Sequence, residues 1–178
     1  MTTAGAHREA ILAGSGGQGL VLSAILLAEA AMLEGRNVVQ TQSYGIASRG
    51  GLSFAEVIID EAEIVFQQVR RPDCVLALTE EAAAKFGAWA ASGVPVFYDS
   101  TLARGRDGAG FHGCPFTQRA SELGQVGSVN ILALGTLAAR TGIVGMSSLE
   151  QAVRRRFAGA AGRQNVDLLA AGAGLAVA

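Results

Sequence analysis

The amino-acid sequence predicts an α/β fold of the Rossmann-like, doubly wound type, with a mainly parallel sheet, helices on both faces and a helical C-terminal portion. Two observations lead to this class. Short apolar stretches alternate with helical stretches over residues 9–98, which is typical of βαβ units. A glycine-rich turn also joins the first strand to the first helix. At 178 residues, with no stretch that has the composition of a linker, residues 1–178 are expected to form a single domain.

Local signals place the individual elements. The first strand (9–14) and second strand (37–42) flank a helix at 18–33, which is followed by the helix-ending glycine Gly35. Residues 74–78 form a nearly continuous apolar run, the pattern of a strand buried on both faces. The other predictions are strands at 53–59 and 94–98, helices at 79–92, 128–141 and 147–157, and short helices at 118–123 and 165–171. Residues 99–113 are expected to form a surface loop or an irregular hairpin, and residues 64–69 either a strand or a helical turn.

Two helix starts carry capping signals. Thr79 precedes two acidic residues, so its hydroxyl is expected to cap the following helix. Ser147 and Glu150 have the spacing of a capping box, which predicts a second side-chain cap.

Composition excludes several classes of function. The net charge of -1 provides no basic surface for nucleic acid, and the run Arg154–Arg156 is interpreted as the solvated face of a helix. The apolar helix 20–33 is too short to span a membrane and contains Glu29. Only 16% of the residues are charged and 50% are hydrophobic, which indicates that a partner covers some apolar surface.

The cysteines and histidines predict neither a metal centre nor a disulfide framework. Cys74 and Cys114 are far apart, and neither belongs to a ligand motif, so the sequence favours a reducing, cytoplasmic compartment. His7 and His112 stand alone in predicted loops and are interpreted as solvated side chains. No pair of nucleophile and base stands out, so no catalytic residue and no metal ligand is predicted.

The first glycine turn has the spacing G-x-G-x-x-G at Gly14, Gly16 and Gly19. Glycine allows a ligand to approach the backbone closely, and the N-terminus of the following helix favours an anion. Dinucleotide binding also requires an acidic residue near the end of the second strand, and residues 38–42 contain none. The turn therefore either holds another phosphate or carboxylate, or permits a tight contact between strand and helix.

A second distinctive loop spans residues 43–51 and contains an aromatic residue, an arginine and three glycines. It follows the second strand, so it is expected at the same edge of the sheet as the first glycine turn. Tyr44 as a packing residue and Arg49 as a solvated charge are the simpler interpretations.

The two segments together, G-x-G-G-Q-G followed by S-Y-G and R-G-G, resemble the gamma subunit or gamma domain of the 2-oxoacid:ferredoxin oxidoreductases. Ala47 departs from the pattern, because an acidic residue is expected there. The matching residues are Gly14, Ser15, Gly16, Gly17, Gln18, Gly19, Ser43, Tyr44, Gly45, Arg49, Gly50 and Gly51. Further similar positions are Pro72, Asp73, Tyr98, Asp99, Ser100, Asn130, Leu134, Gly135 and Asn165.

The resemblance implies an accessory subunit of a complex that converts a 2-oxoacid and coenzyme A to acyl-CoA, carbon dioxide and reduced ferredoxin. Thiamine diphosphate, magnesium and iron–sulfur clusters are expected on the alpha, beta and delta-type partner subunits, and ferredoxin is reached through the complex. The isolated chain is further expected to form a homodimer. The alternative is a stand-alone Rossmann-like enzyme that binds a nucleotide or phosphate.

The resemblance also implies two sets of site residues. Coenzyme A is the candidate ligand for residues 14–19 and Arg49. The candidate partner interface comprises Ser43, Tyr44, Gly45, Arg49, Gly50, Gly51 and Asn130. An ordinary role at the start of a helix is an equally good interpretation of Asn130.

Overall fold

The computed structural model describes residues 7–44, 51–103, 106 and 108–175, which contain a six-stranded sheet. The strands are β1 (Arg8–Ser15), β2 (Asn37–Tyr44), β3 (Leu52–Asp60), β4 (Cys74–Ala77), β5 (Val96–Asp99) and β6 (Phe111–Cys114). The helices are α1 (Leu20–Leu33), α2 (Glu80–Phe86), α3 (Ala88–Ala91), α4 (Phe116–Glu122), α5 (Val129–Thr141), α6 (Met146–Arg156) and α7 (Gly159–Leu175), with a 3₁₀ turn at Val126–Ser128.

The sheet has the strand order β2-β3-β1-β4-β5-β6 and is mainly parallel, as predicted. Strand β1 is parallel to β4, β4 to β5, and β5 to β6. Only β3 runs the other way, because it is antiparallel to both β1 and β2. The carboxyl ends of five strands and the start of β3 therefore lie at one edge, which we call the rim.

Helices cover both faces of the sheet, which confirms the predicted class. The larger apolar cluster packs α1, α5, α6 and α7 against one face, with Leu12 and Leu76 contributed by the strands. The smaller cluster packs α2 and α3 against the other face, around Ile11 and Val75. Consecutive residues of each strand thus face opposite sides of the sheet: Ile11 and Leu12 in β1, and Val75 and Leu76 in β4. All four side chains are nearly or fully buried. This explains the continuous apolar runs in these two strands.

The C-terminal helix α7 is longer than the predicted helix at 165–171. Small residues allow its backbone to contact that of α5: a Cβ on Gly172 would lie 1.8 Å from the carbonyl oxygen of Leu132, and one on Gly135 would lie 2.2 Å from that of Leu169. The hydroxyl of Thr136 also donates to the Gly172 carbonyl at 2.7 Å. The composition of the last glycine and alanine residues suggests a tail without regular structure. Packing against α5 stabilises them as part of a helix instead.

Three local predictions are wrong. The helix at 79–92 is interrupted at Gly87, where a residue with low helix propensity lies against the ring of Phe111. Strand β6 begins inside the predicted loop or irregular hairpin at 99–113 and ends at Cys114, parallel to β5, since pairing with β5 rather than an apolar pattern defines it. The capping box is absent because α6 starts one residue earlier, at Met146, and its N-cap is Gly145.

Two further local signals have clear outcomes. The Thr79 hydroxyl accepts a hydrogen bond from the Ala82 amide at 3.2 Å, which confirms this cap. Residues 64–69 form neither a strand nor a helix. None of the helices in the described part of the chain is long and apolar enough to cross a membrane.

Candidate functional site

The two glycine-rich segments meet at the rim, as their positions in the sequence predict. Ser15, at the end of β1, is paired with Leu52, at the start of β3. One residue further on each side, the amide of Gly16 donates to the carbonyl of Gly51 at 3.4 Å. The turn after β1 and the end of the second loop are therefore adjacent.

Gln18 braces the first glycine turn from within. Its side-chain oxygen accepts a hydrogen bond from the Ser15 amide at 2.8 Å, and its side-chain nitrogen donates to the carbonyl of Leu78 at 3.4 Å. A Cβ on Gly14 would lie 2.3 Å from the Gln18 side-chain oxygen. Gly14 therefore leaves the space over which the Gln18 side chain folds back, and that side chain is engaged within this chain.

Asn130 braces the same turn from helix α5. Its side-chain nitrogen donates to the carbonyl of Gly19 at 3.1 Å and to the hydroxyl of Ser23 at 3.2 Å. Gly19 has a φ of 73°, and a Cβ there would lie 2.5 Å from that nitrogen. Asn130 is only 4% exposed. Its side chain thus joins α5 to the start of α1 and does not cap its own helix.

Gly16 and Gly17 have different surroundings from Gly14 and Gly19. Both are exposed, and a Cβ at either position would meet nothing within 4 Å. Gly17 has a φ of 93°, which L side chains rarely adopt, whereas Gly16 has no such restriction. The space above these two residues is therefore free of this chain's own described atoms.

Helix α1 starts directly after this open space. Among the described residues no side chain caps its N-terminus, and its first turn contains no acidic residue. The amide groups of the first turn of an α-helix have no partner within the helix, and the helix dipole adds a partial positive charge. The geometry can therefore accept an anion or the carbonyl groups of another chain.

The second loop is described only at its two ends. Ser43 is exposed and pairs with Phe54 of β3, and Tyr44 pairs with Ser53 through the backbone. Gly51 contacts Gly16, as described above. The predicted site residues Gly45, Arg49 and Gly50 lie outside the described residues, so their roles stay predictions.

A buried carboxylate that the site prediction missed lies at the end of β5. Asp99 is fully buried and accepts hydrogen bonds from the amides of Thr101 and Thr117, at 3.0 and 3.1 Å, and from the Thr117 hydroxyl at 2.5 Å. These bonds hold the start of α4 against the end of β5. Two signals in the sequence could have identified it: Asp99 directly follows an apolar strand, and it is one of the positions similar to the family.

Both cysteines are buried within the core. Burial raises the pKa of the Cys74 thiol to about 12 and also raises the pKa of the Cys114 thiol. Neither therefore provides a thiolate at neutral pH. Among the described residues, no group of three or more histidine, cysteine or acidic side chains is arranged to hold a metal ion.

His7 and His112 are exposed, as predicted, but neither is isolated, and His112 does not lie in a loop. His7 lies at the opposite edge of the sheet and bridges the carboxylates of Glu9 and Asp60, with both distances 2.8 Å. The hydrogen bonds to Glu9 and Asp60 raise the pKa of His7. His112 lies in β6, where its ring stacks on Phe97 with the ring centres 5.1 Å apart.

Glu9 connects this cluster to the segment before β4. It is 5% exposed, and one carboxylate oxygen accepts hydrogen bonds from the amides of Arg70 and Arg71 at 2.8 and 2.7 Å. Burial by itself would raise the pKa of Glu9, but the bonds from His7 and these two amides outweigh it and lower the pKa. This cluster stabilises the fold far from the rim.

Comparisons with known proteins identify relatives over nearly the whole length of the chain. The chain is 44% identical over 133 residues to a 2-oxoglutarate synthase subunit, KorC, of Archaeoglobus fulgidus, covering 74% of this chain and 70% of that one. A crystal structure of a keto/oxoacid ferredoxin oxidoreductase gamma subunit from Geobacter sulfurreducens superposes with a TM-score of 0.84 and 33% identity, covering 96% and 97% of the two chains.

A third comparison shows the same fold within a longer chain. The 2-oxoglutarate:ferredoxin oxidoreductase from Magnetococcus marinus, solved with 2-oxoglutarate, coenzyme A and succinyl-CoA bound, superposes with a TM-score of 0.86. Its identity is 22%, and the match covers 96% of this chain but 31% of that one. At this level of identity, the likeness shows the fold alone.

The parallel sheet, the helices on both faces and the glycine turn at the rim define an α/β protein of the Rossmann-like class. The sequence profile of one family within this class, pyruvate ferredoxin/flavodoxin oxidoreductase, matches residues 9–175. The chain belongs to this family, and the resemblance predicted from its two glycine-rich motifs is confirmed.

Proposed function

We propose that this chain is the gamma-type accessory subunit of a cytoplasmic 2-oxoacid:ferredoxin oxidoreductase, which forms acyl-CoA, carbon dioxide and reduced ferredoxin from a 2-oxoacid and coenzyme A. The observation that carries this proposal is the match of the family profile to residues 9–175. The full-length superposition on a gamma subunit supports the same assignment and a single gamma-type domain. The alternative of a stand-alone nucleotide-binding enzyme has no such support.

In this proposal the chain contributes surfaces rather than reacting groups. The buried thiols, with their raised pKa values, are unsuited to nucleophilic chemistry or cluster binding. Thiamine diphosphate, magnesium and iron–sulfur clusters belong to the alpha, beta and delta-type subunits, through which ferredoxin is reduced. The rim packs on these catalytic subunits through residues 43–45, 49–51 and the adjacent glycine turn.

The proposed ligand at the rim is an anionic group of coenzyme A. The open space above Gly16 and Gly17 and the uncapped N-terminus of α1 support this choice. Arg49 would add a guanidinium group, which binds phosphate through two parallel hydrogen bonds. Gln18 and Asn130 then act as positioning residues, since both brace the turn from inside the chain.

The test is a reconstitution of the purified chain with its catalytic subunits. Arg49→Ala should raise the KM for coenzyme A while the complex still assembles, and Arg49→Lys should recover only part of the loss because lysine has no planar fork. Loss of assembly in Arg49→Ala would show that the rim serves protein packing only. Unchanged assembly and kinetics would contradict both roles, and failure of the wild-type chain to assemble would refute the subunit assignment itself.

A further inference from the structure

A second surface of the molecule has an unusual combination of groups, and it lies away from the rim. The last turns of α1 and α6 enclose a groove of about 470 Å³ lined by Glu29, Met32, Leu33, Arg155 and Arg156. From Leu20 at the rim to Met32, the helix rises by roughly 18 Å at 1.5 Å per residue. The groove is therefore separate from the glycine turn.

The apolar part of the groove is exposed to an unusual degree. Met32 is 65% exposed, although it belongs to a helix whose other face is completely buried. Leu33 lines the groove beside it and is partly buried. An exposed methionine is a flexible apolar group that adapts to a partner's side chain, and such residues recur at binding surfaces.

The basic part of the groove consists of two arginine side chains. Arg155 and Arg156 are exposed, and within residues 7–44, 51–103, 106 and 108–175 neither guanidinium group has a hydrogen-bond or ion-pair partner. The acidic lining residue Glu29 forms no ion pair with them in this part of the chain. The groove thus combines two unpaired guanidinium groups with an apolar floor.

A favourable interaction with the dipole of α6 explains basic residues at the end of this helix, but it does not explain the groove. The dipole acts alike on Arg154, Arg155 and Arg156, which all lie in the last turn. All three arginines are exposed on α6, as the interpretation of a solvated run predicts, but successive helical residues point about 100° apart, so the three do not all face the groove. Only Arg155 and Arg156 line the groove.

We propose that this groove docks an acidic segment of a catalytic partner subunit, with an apolar side chain beside Met32 and carboxylates against Arg155 and Arg156. The proposal rests on the assignment of this chain as a subunit of such a complex. Carboxylates match the arginine fork, and exclusion of water by the apolar contact strengthens the charge pairing. Docking in this groove would give the complex a second contact with this chain, separate from the one at the rim.

Other occupants fit the groove less well. A second copy of this chain, paired across a two-fold axis, would offer only one carboxylate, that of Glu29, to the two groove arginines of each copy, whereas an acidic segment offers several. A nucleic acid would require a broad basic surface, whereas the whole chain carries a net charge of -1.

The test measures the affinity of the full-length chain for the purified catalytic subunits by calorimetry at low and high salt. Arg155→Glu and Arg156→Glu should each weaken binding by about tenfold at low salt and reduce its salt dependence, because a complementary charge at the interface is reversed. Arg154→Glu is the matched control: it makes the same charge change in the same helical turn but does not line the groove. Its affinity should stay within about twofold of wild type.

The apolar contact has its own matched pair. Met32→Asp should weaken binding by at least about tenfold, because it places a charge in the apolar floor. Val65→Asp makes a similar change at a residue that is 87% exposed and outside the groove, and its binding should be unchanged. Since both residues are exposed, both variants should keep the wild-type melting temperature, so a loss of binding does not reflect unfolding.

Three results would overturn the proposal. If the Arg155→Glu and Arg156→Glu variants bind the catalytic subunits as tightly as the Arg154→Glu variant does, no acidic partner segment occupies the groove. Intact assembly with a raised KM for coenzyme A would assign the groove to a small phosphate instead. If the wild-type chain assembles, the subunit assignment stands whatever the variants do. If the wild-type chain does not assemble, the subunit assignment is refuted, and this proposal with it.

Discussion

The substitution Gly19→Ala tests how the glycine turn is built, because the stability that it removes has two separate causes, backbone strain and the loss of hydrogen bonds made by Asn130. Alanine at a φ of 73° costs about 1 to 2 kcal/mol in backbone strain. Its Cβ would also lie 2.5 Å from the Asn130 side-chain nitrogen, so Asn130 must move away from the Gly19 carbonyl and the Ser23 hydroxyl. Two lost hydrogen bonds add about 2 kcal/mol, giving an expected destabilisation of about 3 to 4 kcal/mol.

Urea denaturation followed by circular dichroism measures this free energy. In an Asn130→Ala background the two hydrogen bonds are already absent, so Gly19→Ala should then cost only the strain, about 1 to 2 kcal/mol. Gly16→Ala is the matched control, since its Cβ would meet no atom of the described residues within 4 Å and its φ is not positive. It should change stability by less than about 0.5 kcal/mol. Equal costs for Gly19→Ala in both backgrounds, or for both glycines, would refute this account of the turn.

Three further predictions concern the rest of the fold. The protonated His7 bridge should add stability that is fully present below pH 6.5 and is lost as the pH rises through the raised pKa, and His7→Gln should remove this pH dependence. Thr79→Ala should cost about 1 kcal/mol in urea denaturation, whereas Ser147→Ala should cost less than about 0.5 kcal/mol because it caps no helix. Cys74 and Cys114 should react with a thiol reagent only in denaturant, because both are buried and their pKa values are raised.

Each of these predictions has an outcome that contradicts it. A stability that is unchanged between pH 6 and 9, or equal in wild type and His7→Gln, would show that the bridge does not hold a proton. Similar losses for Thr79→Ala and Ser147→Ala would mean that propensity rather than capping controls both helices. Rapid modification of either cysteine in the native protein would show that the core opens locally.

The parts of the fold that the sequence predicts correctly are those with a strong local pattern. Residues 74–78 are apolar without interruption, and β4 occupies this run because both faces of the sheet are covered. The signal for the start of α2 is likewise local, since the Thr79 hydroxyl accepts a hydrogen bond from the amide only three residues further along the chain. Strand β6 has no such pattern: two of its four residues are exposed, and pairing with β5 alone makes it a strand.

The same contrast holds at the C-terminus. Residues 170–175 mix alanine, the best helix former, with two glycines that disfavour a helix, so local propensity does not decide their conformation. They become the end of α7 because Gly172 and Gly135 allow two helix backbones to touch. A pattern read along one segment contains no information on the helix that will lie beside it.

By itself, the sequence determined the strand–turn–helix unit, the doubly wound class and the family, because each depends on short local patterns and on their order along the chain. Only the tertiary structure divided the glycines of the turn into two groups. Gly14 and Gly19 make room for Gln18 and Asn130 of the same chain, and Asn130 lies 111 positions from Gly19. Gly16 and Gly17 face space that the described chain leaves open. The physical reason is that conformational preference is local, whereas the atoms around a turn come from segments brought together by folding of the whole core.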